Sequence, residues 1–470
     1  MRNRPFVMTM HPTIKRFSKK SSGDGDDLFV QPPSRIPRLI PLAACLASAL
    51  ALTAPATWAA TRAVANCADS GFGSLRQVVG VAVSFDTVDL SALTCSTITL
   101  TSGEVAIPQY NLTLQGPIDR NVTINTSSNT RILHHTGAAG GVLIINYLTI
   151  SGGKYAPATG NAKGGCILSS SASVNLNGST VSGCATAVAA SGSIAKGGAI
   201  YAAISIDMLR STVTGNRAIA SGTGTVALGG GIYAHGVFAN LSTVSGNRAY
   251  DSATGGGTFG GGILVEGNMS LYSSTVDSNQ AQYGGGIYQL HQAGGVNTVT
   301  IANSTISGNQ ATSDGGGLRV KSPLTLYNST IAFNSASKDA GILSYASVVS
   351  QSSIIANNTN TSSASFGDLY IKGSGLSLTG ANNLIVSSNL LLAGTLTSDP
   401  RLVPLGNHGG ATRTHALSSN SPAIDKGNNA AHETFDQRET GFLRVVGPSA
   451  DIGAYERQVN DDEIFYDGFQ

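Results

Sequence analysis

The phrase STVTGNRA at 211–218 returns as STVSGNRA at 242–249, STVDSNQA at 274–281, STISGNQA at 304–311 and STIAFNSA at 329–336. Its serine falls at 179, 211, 242, 274, 304 and 329, with a weaker copy, SSIIANN, starting at 352. Glycine clusters recur in step, as GGAIY (197–201), GGGIY (229–233), GGGIL (260–264), GGGIY (284–288) and GGGLR (315–319). The apolar residue closing each cluster falls at 167, 200, 232, 263, 287, 318 and 342. Self-similarity at this period means a stack of supersecondary units, each burying its neighbour. Helical units are excluded, because the repeats carry paired Gly, Asn and β-branched residues and no 3.6-residue apolar stripe. Short runs such as VTIAN (299–303), STIS (304–307) and GLRV (317–320) read as two or three strands per coil. The fold class expected is all-β: a single-stranded parallel β-helix, a solenoid with coils stacked at about 4.8 Å.

The repeated phrase then has a mechanical reading. The Val or Ile of ST(V/I) faces the core. The Gly of SGN supplies a positive φ at a corner. Asn216, Asn247, Asn279, Asn309, Asn334 and Asn357 form an internal ladder of amides, each satisfying turn backbone and the next rung. Cys184 stands where the first rung would be. The recurring Tyr201, Tyr233 and Tyr288 form an outward ladder that either packs or stacks on sugar rings. Coil length varies in the segment between the Asn and the glycines, which is long at 217–228 and 248–259 and only QAQY at 280–283.

The chain has 470 residues, 11% of them charged and 58 of them Gly. Eight of its 28 Lys and Arg lie in residues 1–60, with three of its 26 acidic residues. Beyond residue 60 the balance is 20 basic to 23 acidic, so no basic excess argues for nucleic acid. Arg35 and Arg38 precede the apolar run LIPLAACLASALALTA (39–54) and the small-residue stretch APATWAA (54–60). That order is a secretory signal, and residues 1–60 are assigned to it. No other run is long enough to span a membrane as a helix. Cys45 leaves with the signal. An even set remains in an exported chain, and the local pairing Cys67–Cys95 with Cys166–Cys184 is expected. No spacing of these cysteines points to a metal.

Residues 61–140 are expected to hold an N-terminal cap and irregular first coils, with SLRQVVGVA (74–82) as a short capping helix. Residues 141–398 are the regular coils, 399–456 a C-terminal segment and 457–470 a tail. CADSGFGSLRQ (67–77) resembles the CSLREA-type leader of exported bacterial β-helix proteins. The GGGI and SGNxA phrases are similar to those of polymorphic outer membrane proteins and of the pectin-lyase-like fold class, a resemblance that implies a right-handed hand for the parallel β-helix. DPRLVPLGNHGGATRTHALSSNSPAIDKGNN (399–429), with DQR (436–438) and ADIGAYE (450–456), resembles the choice-of-anchor Q domain of bacterial surface proteins. DEIFYDGFQ (462–470) resembles a short sorting tail of Gram-negative exported proteins. These resemblances imply an exported chain at the cell surface or outside a Gram-negative bacterium; they do not imply a known activity. The 72 residues after position 398 are too few for an eight-stranded outer-membrane barrel.

Chemistry is sparse in the coils. Between 140 and 385 the acidic residues are Asp207, Asp251, Glu266, Asp277, Asp314, Asp339 and Asp368. Polysaccharide cleavage on this fold needs clustered carboxylates or a metal with a basic residue. The one pair in consecutive coils is Asp314 and Asp339, with Arg319, Lys321 and Lys338 nearby in sequence. His408, Thr412, His415, Asp425, Asp436, Arg438, Asp451 and Glu456 of the C-terminal segment either form a ligand site or close turns and pair within an end cap. No cofactor or metal motif is present. The expected function is a non-catalytic exported β-helix that binds glycans or cell-surface and matrix components, its tail engaging export machinery. The alternatives are a carbohydrate-active lyase or hydrolase, or a structural surface component.

Overall fold

The computed structural model describes residues 59–461, apart from 253–254, 292–296, 363–365 and 460. The apolar run 39–54 and the tail 462–470 lie outside the described residues. From Lys154 onward the coils carry strands on three faces. One full coil runs Ile232–Asn240 on the first face, Thr243–Ser245 on the second, then Arg248–Asp251 and Gly257–Phe259 on the third. The faces form sheets of 20, 11 and 12 strands, and consecutive coils pair in parallel. Parallel strands joined within one sheet connect right-handedly, and the solenoid is a right-handed parallel β-helix.

The register follows from the apolar repeat. Ile167, Ile200, Ile232, Ile263, Ile287, Leu318 and Ile342 align rung on rung and are fully buried. Val213, Val244, Val276, Ile306 and Ile331 fill the core from the second face. The third face is lined inside by Ala218, Ala227, Ala249 and Ala281, whose size lets that sheet sit close. The glycine clusters turn the third face into the first. Gly229 has φ +65°, and a Cβ there would stand 2.1 Å from the Ile232 carbonyl oxygen, so no other residue fits.

The corner after the second face is left-handed in six successive coils. Gly215, Gly246, Ser278, Gly308, Phe333 and Asn357 hold it with φ between 56° and 67°. The residue that follows turns inward. Asn216 Nδ2 donates to Asn247 Oδ1 (2.8 Å), and the pattern continues through Asn279, Asn309 and Asn334. The next rung is Asn358, not Asn357: Asn334 Nδ2 donates to Asn358 Oδ1 at 2.9 Å. Asn357 takes the corner itself, a conformation Asn tolerates. The ladder begins at Cys184, whose N–H donates to Asn216 Oδ1, and ends on the buried carboxylate of Asp368, which accepts from Asn358 N and Nδ2. A second ladder of serine hydroxyls runs from Ser179 through Ser211, Ser242 and Ser274.

Helix α1 (Leu75–Val81) is capped by Ser74 and buries Leu75, Val78 and Val79 on the first coil. Gln109 donates to the Val79 and Ala82 carbonyls at its C-terminal end. Disulfides join Cys67 to Cys95 and Cys166 to Cys184. The second closes a loop with a sequence separation of 18. Replacing Cys166 and Cys184 together by Ala is expected to cost about 3 kcal/mol, read as a lower midpoint in guanidinium unfolding.

The C-terminal segment does not cap an end. It lies along the second face of the last coils as a strap. Its residues bury Thr275, Asp277, Thr305, Ser307 and Thr330. Gln437 reaches Thr275 Oγ1 (3.0 Å), Thr414 meets Thr305 (3.0 Å), and Asn428 accepts from Ser352 (2.9 Å). Arg438 pairs with Asp436 at 2.8 Å between the rings of Phe442 and Tyr455. Arg444, fully buried, pairs with Glu456 at 2.9 Å. Asp451 accepts the Asp425 N–H, and Thr412 donates to the Ser273 carbonyl. His408 stands edge-on to Tyr455. These groups are consumed by one another and by the coils, which is the work of a clasp.

His415 bonds Ser307 Oγ (2.8 Å) and the Val403 carbonyl (2.7 Å) beneath this strap. Burial pushes its imidazole down to about 4, the bond to Val403 opposing and His408 adding to the push. The folded value lies below the unfolded one, so the unfolded chain takes the proton first. The stabilisation is full above about pH 6.5 and fades as pH falls toward 4, for a total of roughly 3 kcal/mol. The stability difference between the wild-type chain and His415→Gln should therefore shrink over that window in thermal melts.

Candidate functional site: a cation–aromatic furrow

Two outward-facing rows flank the glycine corner between the third and first faces. One row sits two residues or more after each glycine pair and aligns Leu168, Tyr201, Tyr233, Leu264, Tyr288 and Arg319. The other sits immediately before the glycines and aligns Lys163, Lys196, Leu228, Phe259, Tyr283 and Asp314. Glycine holds the bend in most coils, so little side-chain bulk stands between the rows, and the two rows rim a furrow.

Within it, cations lie over rings. Lys163 Nζ is 4.9 Å from the Tyr201 centroid, and Lys196 Nζ is 4.5 Å from that of Tyr233. The Arg319 guanidinium lies 4.9 Å from Tyr283, 5.5 Å from Tyr288 and 5.3 Å from Tyr345. Lys321 and Lys372 extend the row over Tyr288 and Tyr345. Each such contact contributes about 0.5–2 kcal/mol, more when dry.

The three repeated tyrosines do not form one continuous stack. Tyr201 and Tyr233 are parallel at 5.3 Å. Leu264 occupies the next position and breaks the run. Tyr288 meets Phe259 edge-on at 5.2 Å, and Phe259 stacks on Tyr283 at 5.1 Å. Tyr233 and Tyr288 are each only 4% exposed. They are packed within their row, and the half-buried Tyr201, Phe259 and Tyr283 are the rings a ligand would meet.

The carboxylates of the furrow are engaged. Tyr233 Oη donates to Glu266 and lies 3.0 Å from Lys196 Nζ. Burial, reinforced by Glu266, pushes the Tyr233 phenol far up, so it stays protonated. Burial lowers Lys196, Glu266 resisting and Lys163 assisting. Asp314 pairs with Arg319. Asp314 and Asp339 are not equivalent positions: Asp314 bridges Lys338 in the next coil, and Asp339 stands one place later. Asp339 holds the corner with φ 54°, and its carbonyl accepts the Gly315 N–H. A one-residue offset therefore separates the two aspartates paired in the sequence reading. Among the described residues no group of three His, Cys, Asp or Glu could hold a metal ion.

Lys163, Lys196, Phe259 and Tyr283 escape a reading based on the repeated phrase. Each directly precedes a glycine cluster, and that placement is the signal that marks them.

No family model matches the chain. No curated protein matches it either. Among solved structures, the pectate lyase Pel9A aligns with 85% of this chain and 96% of its own length, at 12% identity and a TM-score of 0.39.

Proposed function

We propose that the protein is an exported β-helix that holds acidic glycans along the furrow without cleaving the polymer backbone, and that the strap is an anchor segment of the choice-of-anchor Q type. The observation that carries this reading is the alternation of half-buried rings with Lys163, Lys196, Arg319, Lys321 and Lys372. Rings offer apolar faces to pyranoses, and the cations suit carboxylated or sulfated sugars. Coils recur at about 4.8 Å, comparable to one sugar unit, so a polymer laid along the axis meets a similar contact on every coil. Asp314 and Glu266 are each spent on a neighbour, which favours binding over a carboxylate-driven cleavage. The two disulfides fit an oxidising compartment. Among the described residues no helix is long and apolar enough to cross a membrane.

The test is calorimetric titration of the full chain with polygalacturonate and with a neutral glucan. Binding of the anionic polymer should weaken with salt. Arg319→Ala and Lys196→Ala should each weaken it roughly three- to tenfold, since a cation–ring contact of about 1 kcal/mol goes with the charge. Equal affinity for the neutral polymer, or none for either, would sink the proposal.

A further inference from the structure

Three polar side chains on adjacent coils make a chain of contacts that the glycan reading does not use. His134 Nδ1 lies 2.8 Å from Glu104 Oε1, and His134 Nε2 lies 3.1 Å from Ser170 Oγ. The register builds this arrangement. Ala106, His134 and Leu168 align on consecutive coils of the first face. Glu104 precedes its rung by two residues and Ser170 follows its rung by two, so all three side chains project from one face on a diagonal. Ser170 is exposed, and His134 and Glu104 are half-buried. Arg131 holds the other Glu104 oxygen at 2.7 Å, with its own Nε on the Lys163 carbonyl. Partial burial raises Glu104, but bonds from His134 and Arg131 outweigh it and hold the carboxyl at about 2, so it is ionised.

A hydroxyl, an imidazole within hydrogen-bond reach and a carboxylate fixing the opposite ring nitrogen are the parts of a nucleophilic relay, whatever the fold. With Nδ1–H directed to Glu104, Nε2 is left as the acceptor for the Ser170 proton. His134 lies on the aligned row that continues through Leu168 to Tyr201, which leads into the N-terminal end of the furrow.

We propose that Glu104, His134 and Ser170 form a serine-esterase site that removes short acyl groups from a glycan lying in the furrow. Ser170 Oγ attacks the ester carbonyl while His134 Nε2 takes its proton. The tetrahedral adduct expels the sugar hydroxyl, which leaves with that proton, and an acyl-Ser170 remains. Water, deprotonated by His134, attacks the acyl carbon. The carboxylic acid departs and Ser170 recovers its proton. Glu104 is a positioning residue: it sets the imidazole tautomer and stabilises the imidazolium. The chemistry stands on the relay alone, and the sugar ester as substrate rests on the glycan reading.

The experiment has three readings on the full chain. p-Nitrophenyl acetate hydrolysis tests the relay, and Ser170→Ala and His134→Gln should each lower it by about 10²-fold or more. Ser170 is exposed, so its loss leaves folding intact. Diisopropyl fluorophosphate should phosphorylate Ser170 with release of fluoride, located by peptide mass, and labelling should fall in Glu104→Gln while Glu104→Asp restores part of it. Wild-type turnover no faster than Ser170→Ala, with no label on Ser170, overturns the relay. Acetate release from acetylated polygalacturonate tests the substrate. Turnover of the small ester without polymer deacetylation overturns the sugar-ester assignment and leaves the relay standing. Polygalacturonate that fails to bind Ser170→Ala while the small ester still turns over in the wild type places the failure in the glycan reading.

Discussion

Asn279→Ala is expected to lose about 3–5 kcal/mol and to unfold the middle coils first. Asn279 Oδ1 accepts from Asn247 N (2.9 Å) and Asn247 Nδ2 (3.0 Å), while its own Nδ2 donates to Val244 O (2.9 Å) and Asn309 Oδ1 (3.0 Å). The side chain is fully buried. Removing it takes partners from Asn247 and Val244 on one flanking coil and a donor from Asn309 on the other, and each buried group left unpaired costs about 1–3 kcal/mol. Water cannot repair the loss, because the rung stands between packed neighbours. Asn279→Asp keeps the acceptor and loses the donor, so its cost should come from the Val244 and Asn309 oxygens it then faces. Hydrogen exchange would show protection lost at Asn247 and Asn279 before it is lost in the first coils. Uniform loss across the solenoid would mean the ladder is not a local device.

Arg444→Met should be the costliest single change in the strap, at about 3–5 kcal/mol for a buried charge left alone. Arg444 reaches the Gly453 carbonyl (3.0 Å) and the Glu456 carboxylate (2.9 Å). Glu456 in turn accepts Val446 N and Asp451 N. Met fills the volume and strands Glu456 in the core. Adding Glu456→Gln should recover part of the loss, since the uncompensated charge is then gone. The readout is protease cleavage within 399–456: rapid in the single variant, slower in the double, with the coils intact in both. An unchanged digestion pattern would show that the pair does not hold the strap.

The coil architecture was legible because its cause is local. Gly at a left-handed corner, a buried Val or Ile and an inward amide recur at short spacing, and each repeat supplies its own register. The errors arose where a residue type stands in for another. Asn357 and Asn358 are adjacent amides, and only the corner's φ decides which one turns in. Asp339 replaces a corner glycine, which shifts it against Asp314 by one place. The furrow depends on residues beside the glycines, whose contacts cross between coils, as with Lys196 of one coil and Tyr233 of the next. Glu104, His134 and Ser170 lie 30 and 36 residues apart, the first two in irregular coils, so no repeated phrase brings them together on paper. Their meeting is a product of pairing register.

The asparagine ladder also has a direction. Every amide donates its Nδ2 toward the rung nearer the C-terminus, and the series closes on the Asp368 carboxylate. Aligned hydrogen bonds polarise one another, so the ladder behaves as a wire with an anion at its receiving end. Such a wire sets a grammar for growth. A coil duplicated between Cys184 and Asn358 finds a matching donor above and acceptor below, and the solenoid lengthens without penalty to its bonding. A coil added beyond Asp368 meets an acceptor with nothing to give. The length of the furrow, and with it the number of sugar units it can grip, is therefore open to change by internal duplication, while the terminus is fixed in place.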